Sequence, residues 1–239
     1  MGRLGIIIIV FIAGLTVKGQ DISGLELLDK AIEFHDPNNN WPSFQGKLYI
    51  NMITPDKKER VSEIELNLPQ AYFKATSTKD DNTIEQIIDK KDCTLKLNGN
   101  STISEEQAKK HRISCERAEM MKNYYTYLYG LPMKLKDLGT NIDPIVKTKN
   151  FKGKDYLVLK VTYEKNVGND IWYFYFDPST FAMEVYQFFH DESKNDGEYI
   201  LLSDLEDASG IKMPKTRAWY YNKDDKYLAT DHLVKTSGL

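Results

Sequence analysis

The spacing of apolar residues near the start of the chain is helical. Between residues 24 and 35, apolar side chains recur three or four positions apart. The preceding Ser23-Gly24-Leu25-Glu26 has the form of a capping box, in which the serine and glutamate side chains each accept a free backbone N–H at the start of a helix. We therefore predict a helix from about Gly24 to His35 that lies on an apolar surface.

Two series of short strand-like segments account for most of the remaining chain. Each segment is bounded by turn residues, and short sequential strands with tight connections favour an antiparallel meander. The first series comprises residues 44–53, 60–68, 71–78, 83–89 and 93–97, and the second comprises residues 156–163, 171–177, 181–190, 197–205, 211–221 and 227–234. The pattern therefore predicts about eleven strands.

Between the two series, the apolar period becomes helical again. Ser104-Glu105-Glu106-Gln107 is a second capping box, and apolar residues then recur three or four positions apart as far as Leu128. The spacing predicts one long amphipathic helix that ends near Gly130, because Leu131-Pro132 forbids simple continuation.

Two strands of the second series are apolar on both faces. Residues 171–176 are apolar or aromatic at every position, and residues 181–189 are nearly so, with Glu184 and Gln187 as the exceptions. An antiparallel strand with one face in water alternates, so both faces of these strands must be covered. Either a helix covers one face and loops the other, or the sheet is strongly curved and its concave face lines an apolar cavity capped by the helices.

The curved-sheet interpretation assigns particular residues to the cavity. Alternate residues of a strand share a face, so each of the two strands contributes one set. The expected cavity lining is Trp172, Phe174, Phe176, Met183, Val185 and Phe189. The sequence hardly distinguishes which face of the strand lines the cavity, because Tyr173 and Tyr175 on the other face are nearly as apolar as the residues chosen.

The chain begins with Met1-Gly2-Arg3 and an unbroken apolar run from Leu4 to Leu15. The run is about a dozen residues long, short of the roughly 20 that a membrane-spanning helix needs, and the small residue Gly19 stands where a signal peptidase would cut. We predict a signal peptide at residues 1–19, cleaved near Gly19/Gln20, and a single soluble domain at residues 20–239, with a retained membrane anchor as the alternative. The protein is then periplasmic or secreted, without stable membrane insertion after cleavage.

Charge and motifs exclude several classes of function. Loss of Arg3 and Lys18 with the signal peptide moves the net charge from −3 to −5, so nucleic acid is not an expected partner. The four histidines are dispersed, and the sequence contains no HExxH, GxSxG, Walker-type or CxxC motif. We therefore expect no catalytic residue, no metal site and no cofactor, with acids such as Glu184 and Asp204 meeting in a cleft as the alternative.

Two cysteines, Cys93 and Cys115, lie in the predicted mature chain. In an oxidising compartment an even count favours pairing, and a bridge that closes a loop of about 22 residues stabilises by roughly 3 kcal/mol. Cys115 lies on the inward stripe of the predicted mid-chain helix, which would bring it to the strand that begins at Cys93. We predict a disulfide between them, with two buried free thiols as the alternative.

Several segments carry a resemblance to a known group of exported bacterial proteins. They are Tyr156 to Leu159, Trp172-Tyr173-Phe174-Tyr175-Phe176-Asp177-Pro178, Gly197-Glu198-Tyr199-Ile200 and Pro214-Lys215-Thr216-Arg217-Ala218-Trp219-Tyr220. Together with the order of helices and meanders, they resemble an uncharacterised exported bacterial family near the LolA, LolB and LppX-like superfamily of periplasmic lipoprotein carriers. The resemblance implies an α+β fold in which an unclosed β-barrel, here of about eleven strands with an N-terminal helix, holds acyl chains beneath a mid-chain helical lid.

The resemblance and the two-faced strands together imply a class of function. We expect a soluble, non-enzymatic binder or carrier of a hydrophobic ligand, such as a lipid or a lipoprotein acyl chain, in the cell envelope. The alternative is an interaction module that binds another envelope protein through an exposed aromatic patch and takes no small ligand.

Overall fold

One antiparallel sheet contains all the named strands of the computed structural model, which describes residues 22–238. The predicted signal peptide at residues 1–19 lies outside the described residues. No helix within residues 22–238 is both long enough and apolar enough to cross a membrane.

Three α-helices and 13 strands make up the described part of the chain. The helices are α1 (Gly24–His35), α2 (Glu105–His111) and α3 (Cys115–Tyr129). The strands before them or between them are β1 (Gln45–Ile53), β2 (Glu59–Asn67), β3 (Tyr72–Lys79), β4 (Asn82–Asp89) and β5 (Asp92–Leu97). The strands after α3 are β6 (Thr140–Ile142), β7 (Lys147–Phe151), β8 (Lys154–Tyr163), β9 (Ile171–Phe176), β10 (Met183–Phe189), β11 (Glu198–Ala208), β12 (Ile211–Tyr221) and β13 (Tyr227–Gly238).

The first and last strands join the two meanders into one sheet. β1 pairs with β13, and the strand order is β5-β4-β3-β2-β1-β13-β12-β11-β10-β9-β8-β6, with β7 also paired to β8. Among the described strands, β5 and β6 stand at opposite ends of this path, so the curved sheet does not close into a barrel. The predicted α+β fold is confirmed. The sequence pattern missed β6 and β7, because they are short and largely exposed and lack apolar alternation.

The mid-chain helical segment is two helices, whereas the apolar spacing predicts one. α2 ends at His111, and Arg112 takes left-handed backbone angles with φ 55°. Ser114 then begins α3, because its hydroxyl accepts a hydrogen bond from the backbone N–H of Arg117 at 3.1 Å. The prediction of one continuous helix is wrong, since the apolar period runs on across a break that a serine cap creates.

The main core lies between the concave face of the sheet and helices α1 and α3. α1 packs on β8 and β12, and α3 packs on β3, β4 and β5. α1 contributes Leu27, Leu28 and Ala31, which are fully buried. The sheet contributes large buried apolar side chains that include Leu48, Ile64, Phe73, Leu159, Phe174, Phe176 and Ile200. Burial of these groups on both sides of the contact is the main force that holds the two helices on the sheet.

His35, the last residue of α1, anchors that helix to two strands. Its Nδ1 lies 2.7 Å from the carbonyl oxygen of Lys212, and its Nε2 accepts a hydrogen bond from the backbone N–H of Met183 at 2.9 Å. These two contacts require a neutral ring with its proton on Nδ1. Burial lowers the pKa of His35 to about 4, and the nearby positive charges of Lys212 and Arg217 act in the same direction.

Stability should depend on the protonation of His35. The ordinary pKa of histidine, 6.5, is higher than the value of about 4 in the folded protein, so the unfolded chain takes up the proton first as the pH falls. We expect the His35 contribution to be complete above pH 6.5 and to fall by about 3 kcal/mol as the pH decreases toward 4. Urea unfolding at a series of pH values checks this. The neutral His35→Gln variant should lose less stability over the same range, and an equal loss in both proteins would contradict the assignment.

The disulfide fixes the start of α3 to an edge strand. Cys93 in β5 and Cys115 at the first position of α3 are bonded, with their Cα atoms 5.9 Å apart and a separation of 22 positions in sequence. The predicted pairing is confirmed. Because β5 is one end of the sheet, the bond places the beginning of α3 at that end.

Removal of the disulfide should lower stability in proportion to the loop that it closes. We expect the double variant Cys93→Ser/Cys115→Ser to lose about 3 kcal/mol of unfolding free energy, because the unfolded chain regains the entropy of the loop. Urea unfolding of the variant and of the chemically reduced wild type should give the same loss. A change below about 1 kcal/mol in both samples would show that the bond adds little to stability.

Candidate functional site

Helix α3 extends across the concave side of the sheet from one end toward the other. Its first residue is bonded to β5, and its packing on β3, β4 and β5 covers that end. Near its last turn, the hydroxyl of Tyr127 is hydrogen-bonded to the hydroxyl of Tyr163 in β8, and its ring lies 5.5 Å from the ring of Trp172 in β9. α3 is therefore the cover of the concave face.

A groove remains open between the second half of α3 and the β6–β8–β9 end of the sheet. Its volume is about 410 Å³, and aromatic side chains of Tyr127, Tyr163 and Trp172 line it. Leu138 and Val167 stand at its margin, where 97% and 53% of their surfaces are exposed. The volume falls within the range of small-molecule sites, which extends from about 300 to 1,000 Å³.

The charged groups beside the groove are paired with one another. Lys134 is hydrogen-bonded to Asp137, and both line the groove. Asp170 lies 2.6 Å from Nδ1 of His190, and this hydrogen bond raises the pKa of His190. Neutral polar residues, Asn123, Thr126 and Thr140, also line the groove, so its surface combines aromatic side chains with polar groups.

A second feature, a row of polar side chains, lies beneath α3. Strand register places Arg217 opposite Asp231, Asp231 opposite Met52, and Met52 opposite Arg60, across β12, β13, β1 and β2. Directly paired residues share a face of the sheet, and this face is turned toward α3 because the guanidinium of Arg217 lies 3.8 Å from the ring centre of Tyr129. Arg217 and Asp231 are 1% and 4% exposed.

Several polar atoms around this row have no hydrogen-bond partner within residues 22–238. They are the hydroxyls of Tyr125, Tyr129 and Tyr186, Nε of Arg60 and Arg217, and Oδ1 of Asp231. We call these six groups the polar cluster. Arg217 donates from Nη1 to the carbonyl of Pro214 at 2.7 Å and from Nη2 to that of Leu128 in α3 at 3.5 Å. Since buried polar groups are nearly always hydrogen-bonded, six such atoms in one place need an explanation.

Burial sets the protonation of the polar cluster. It raises the pKa of Tyr129 and Tyr186, so both hydroxyls keep their protons near neutral pH and can donate as well as accept. It also raises the pKa of Asp231, although the positive charges of Arg60 and Arg217 act in the opposite direction. The cluster therefore combines the buried guanidinium group of Arg217, the partly buried one of Arg60, one carboxyl and three hydroxyls.

The structure separates the six residues expected to line a cavity. Phe174, Phe176 and Met183 are buried in the core that faces the helices, and Trp172 packs against that core at the groove. Val185 and Phe189 lie on the opposite, convex face, where Val185 packs with Tyr175 and the ring of Phe189 is 6.0 Å from that of Tyr173.

A β-bulge explains this division. Met183 pairs with Phe176, but Val185 pairs with Tyr175, so Glu184 is the extra residue and the alternation of β10 shifts by one position. Tyr186 and Phe188 consequently take the inward face that the sequence assigned to Val185 and Phe189. The extra residue, Glu184, forms an ion pair with Lys154 at 2.7 Å, while the other candidate acid, Asp204, is exposed.

Sequence reasoning also missed Arg60, Arg217 and Asp231. A signal was present in the sequence. Arg217 is two positions before Trp219, and Asp231 is two positions before Leu233. Residues two positions apart in a strand share a face, and both Trp219 and Leu233 pack in the core. A charged residue in phase with inward apolar residues is a sign of a buried polar group.

Solved structures with low sequence identity share this fold. A LolA superfamily protein of Nitrosomonas europaea has a TM-score of 0.54 at 14% identity, covering 91% of this chain and 94% of that one. A domain described as an outer membrane lipoprotein-sorting protein, from Vibrio parahaemolyticus, has a TM-score of 0.51 at 11% identity, covering 90% and 92%. A DUF1329 family protein of Desulfovibrio piger has a TM-score of 0.50 at 10% identity, covering 92% and 94%. The chain therefore has a LolA-like fold.

The family follows from the sequence. The model of DUF6503, a family of unknown function, matches residues 5–236, and the chain belongs to this family. A search of curated proteins finds no match. The resemblance to an uncharacterised family near the LolA superfamily is thus confirmed.

The unpartnered hydroxyl of Tyr186 should lower the stability of the folded protein. Because this hydroxyl is buried without a partner, we expect Tyr186→Phe to raise the unfolding free energy by about 1 kcal/mol. The matched control is Tyr175→Phe, since Tyr175 is also buried but its hydroxyl donates to Oε1 of Gln187 at 2.6 Å. That variant should lose about 1 kcal/mol. Urea unfolding measures both, and a loss in Tyr186→Phe would mean that its hydroxyl is satisfied.

Proposed function

We propose that this protein is an exported, soluble, non-enzymatic binder or carrier of a hydrophobic ligand, such as a lipid or a lipoprotein acyl chain, in the cell envelope. The observation that carries the proposal is the aromatic groove between α3 and the end of the sheet. Trp172 lines the groove and also packs against the buried core of the concave face, so an apolar chain in the groove would contact an aromatic side chain that the core holds in place.

The apolar margin of the groove supports this proposal. Leu138 and Val167 are large apolar residues at its opening, and exposed apolar groups around a concave site mark places where apolar ligands bind. Lys134 is paired with Asp137 and Asp170 is hydrogen-bonded to His190 beside the groove, so these side chains already have partners and the aromatic rings remain available to an apolar ligand.

The candidate acids and metal ligands considered from the sequence can be placed in the structure. Within the described chain, no group of three or more His, Cys, Asp or Glu side chains is placed to hold a metal ion. Glu184, one of the two acids considered from the sequence, is held by Lys154 on the convex side of the bulge region, away from the groove lining.

Localisation in the periplasm or outside the cell is part of the proposal. The predicted signal peptide supports it, and so does the disulfide, because structural disulfides persist in oxidising compartments. The LolA-like fold is consistent with work in the envelope without stable insertion in a membrane.

Two measurements test the proposed function. Organic extraction of protein purified from the periplasm of an expression host, followed by lipid mass spectrometry, should yield a co-purified acyl lipid. Delipidated protein should bind the neutral fluorescent probe N-phenyl-1-naphthylamine, and Trp172→Ala should weaken binding about 10-fold because it removes an aromatic wall of the groove.

The neighbouring residue gives a matched control. Tyr173 follows Trp172 in β9 but lies on the convex face, where it contacts Phe189. Tyr173→Ala should leave probe binding unchanged. Absence of both extracted lipid and probe binding would overturn the proposal, and equal losses in the two variants would overturn the assignment of the groove. The first outcome would favour the alternative, an interaction module for another envelope protein.

A further inference from the structure

The polar cluster beneath α3 differs from an ordinary structural core. Six buried polar atoms have no partner among residues 22–238, and they come from three separate parts of the fold: the strands β2, β12 and β13, the strand β10, and the helix α3. Each unpartnered atom lowers stability, and apolar residues of similar size would avoid this loss. A concentration of such atoms in one place is therefore typical of a site that is completed by a ligand.

The cluster lies directly behind the wall of the groove. The ring of Tyr186 is 6.1 Å from that of Trp172, which lines the groove, and 6.3 Å from that of Trp219. Tyr186 is itself a member of the polar cluster, and it is buried together with Arg217 and Asp231. A chain lying along Trp172 would thus have its inner end close to the ring of Tyr186, at the boundary of the polar cluster.

The net charge of the polar cluster favours a negatively charged ligand group. Arg60 and Arg217 contribute two positive charges, and Asp231 contributes at most one negative charge. At least one positive charge remains uncompensated within the cluster, and the tyrosine hydroxyls add neutral donors. Guanidinium and hydroxyl donors arranged in this way match a carboxylate, which carries a single negative charge and accepts several hydrogen bonds.

We propose that the polar cluster is the binding site for the carboxylate headgroup of a single-chain amphiphile, whose hydrocarbon tail lies in the aromatic groove. This inference rests on the proposed function and names its ligand class. Arg217 is the principal carboxylate-binding residue, and Tyr129 and Tyr186 donate to the same group. Because Arg217 also donates to the carbonyl of Leu128, a bound headgroup would take over donors that now hold the last turn of α3, so binding requires a shift of that turn.

A comparison of headgroups on one chain length tests the inference. At pH 8, dodecanoic acid, its methyl ester and dodecyl phosphate compete with N-phenyl-1-naphthylamine on the full delipidated protein, each below its aggregation concentration. We expect dodecanoate to bind about 10- to 100-fold more tightly than the methyl ester, the range for hydrogen bonds to a charged group. Arg217→Met should reduce that ratio to below about 3-fold while the ester still binds.

Controls separate the headgroup site from a general loss of folding. Arg112→Met makes the same change at an exposed position and should keep the full ratio. Tyr186→Phe, which we expect to fold stably, should lower the ratio about 3-fold or more, and it serves as the decisive variant if Arg217→Met does not fold.

The possible results distinguish this inference from the proposed function. Equal binding of the acid and the ester by wild type would overturn the headgroup site and leave the carrier function standing. Tighter binding of dodecyl phosphate than of dodecanoate would overturn the assignment to a singly charged carboxylate. Failure of the probe, the acid and the ester to bind at all would overturn the proposed function itself.

Discussion

An open, curved sheet has an apolar concave face that must be covered, and the rest of this structure depends on how helix α3 covers it. Among the described strands, those at the two ends of the sheet do not pair, so the sheet is not a closed barrel and its concave face needs a separate cover. α3 starts at the disulfide on β5 and reaches β8 and β9 through Tyr127. A covalent bond therefore fixes one end of the cover, whereas the contacts described at the other end are the side-chain contacts of Tyr127 and the long Arg217 hydrogen bond.

The underside of α3 uses tyrosines where aliphatic residues would fill the space more simply. Tyr125 and Tyr129 are each 1% exposed, and both bring a hydroxyl into the core. The rings supply apolar contact, as in the stacking of Tyr125 on Phe73, while the hydroxyls remain without partners. Natural sequences that break a local rule in this way do so mainly at functional sites. The cost in stability is concentrated under the end of α3 that lacks a covalent tether.

Local signals and long-range pairing differ in how far the sequence could predict them. The capping box at Ser23 and the period of α1 are local, and the helix begins and ends where they indicate. The break between α2 and α3 at Arg112 is also local, yet the sequence did not reveal it because the apolar residues keep a helical spacing across the break. The bulge at Glu184 depends on pairing between β9 and β10, which single-strand alternation does not contain, so Val185 was placed on the wrong face. Arg217 and Asp231 become neighbours only through the pairing of β12 with β13.

The aromatic groove and the polar cluster are both consequences of incomplete closure. The groove lies where α3 meets the β8–β9 end of the sheet, and among the described strands none beyond β6 and β7 covers it. The cluster exists because the strands in the middle of the same sheet, β12, β13, β1 and β2, present charged residues beneath that helix. Trp172 in β9 and Tyr186 in β10 are diagonal neighbours with ring centres 6.1 Å apart, and they connect the two. The aromatic groove favours an apolar group and the excess positive charge of the neighbouring polar cluster favours an anionic one, so the proposed ligand, apolar at one end and anionic at the other, matches both features.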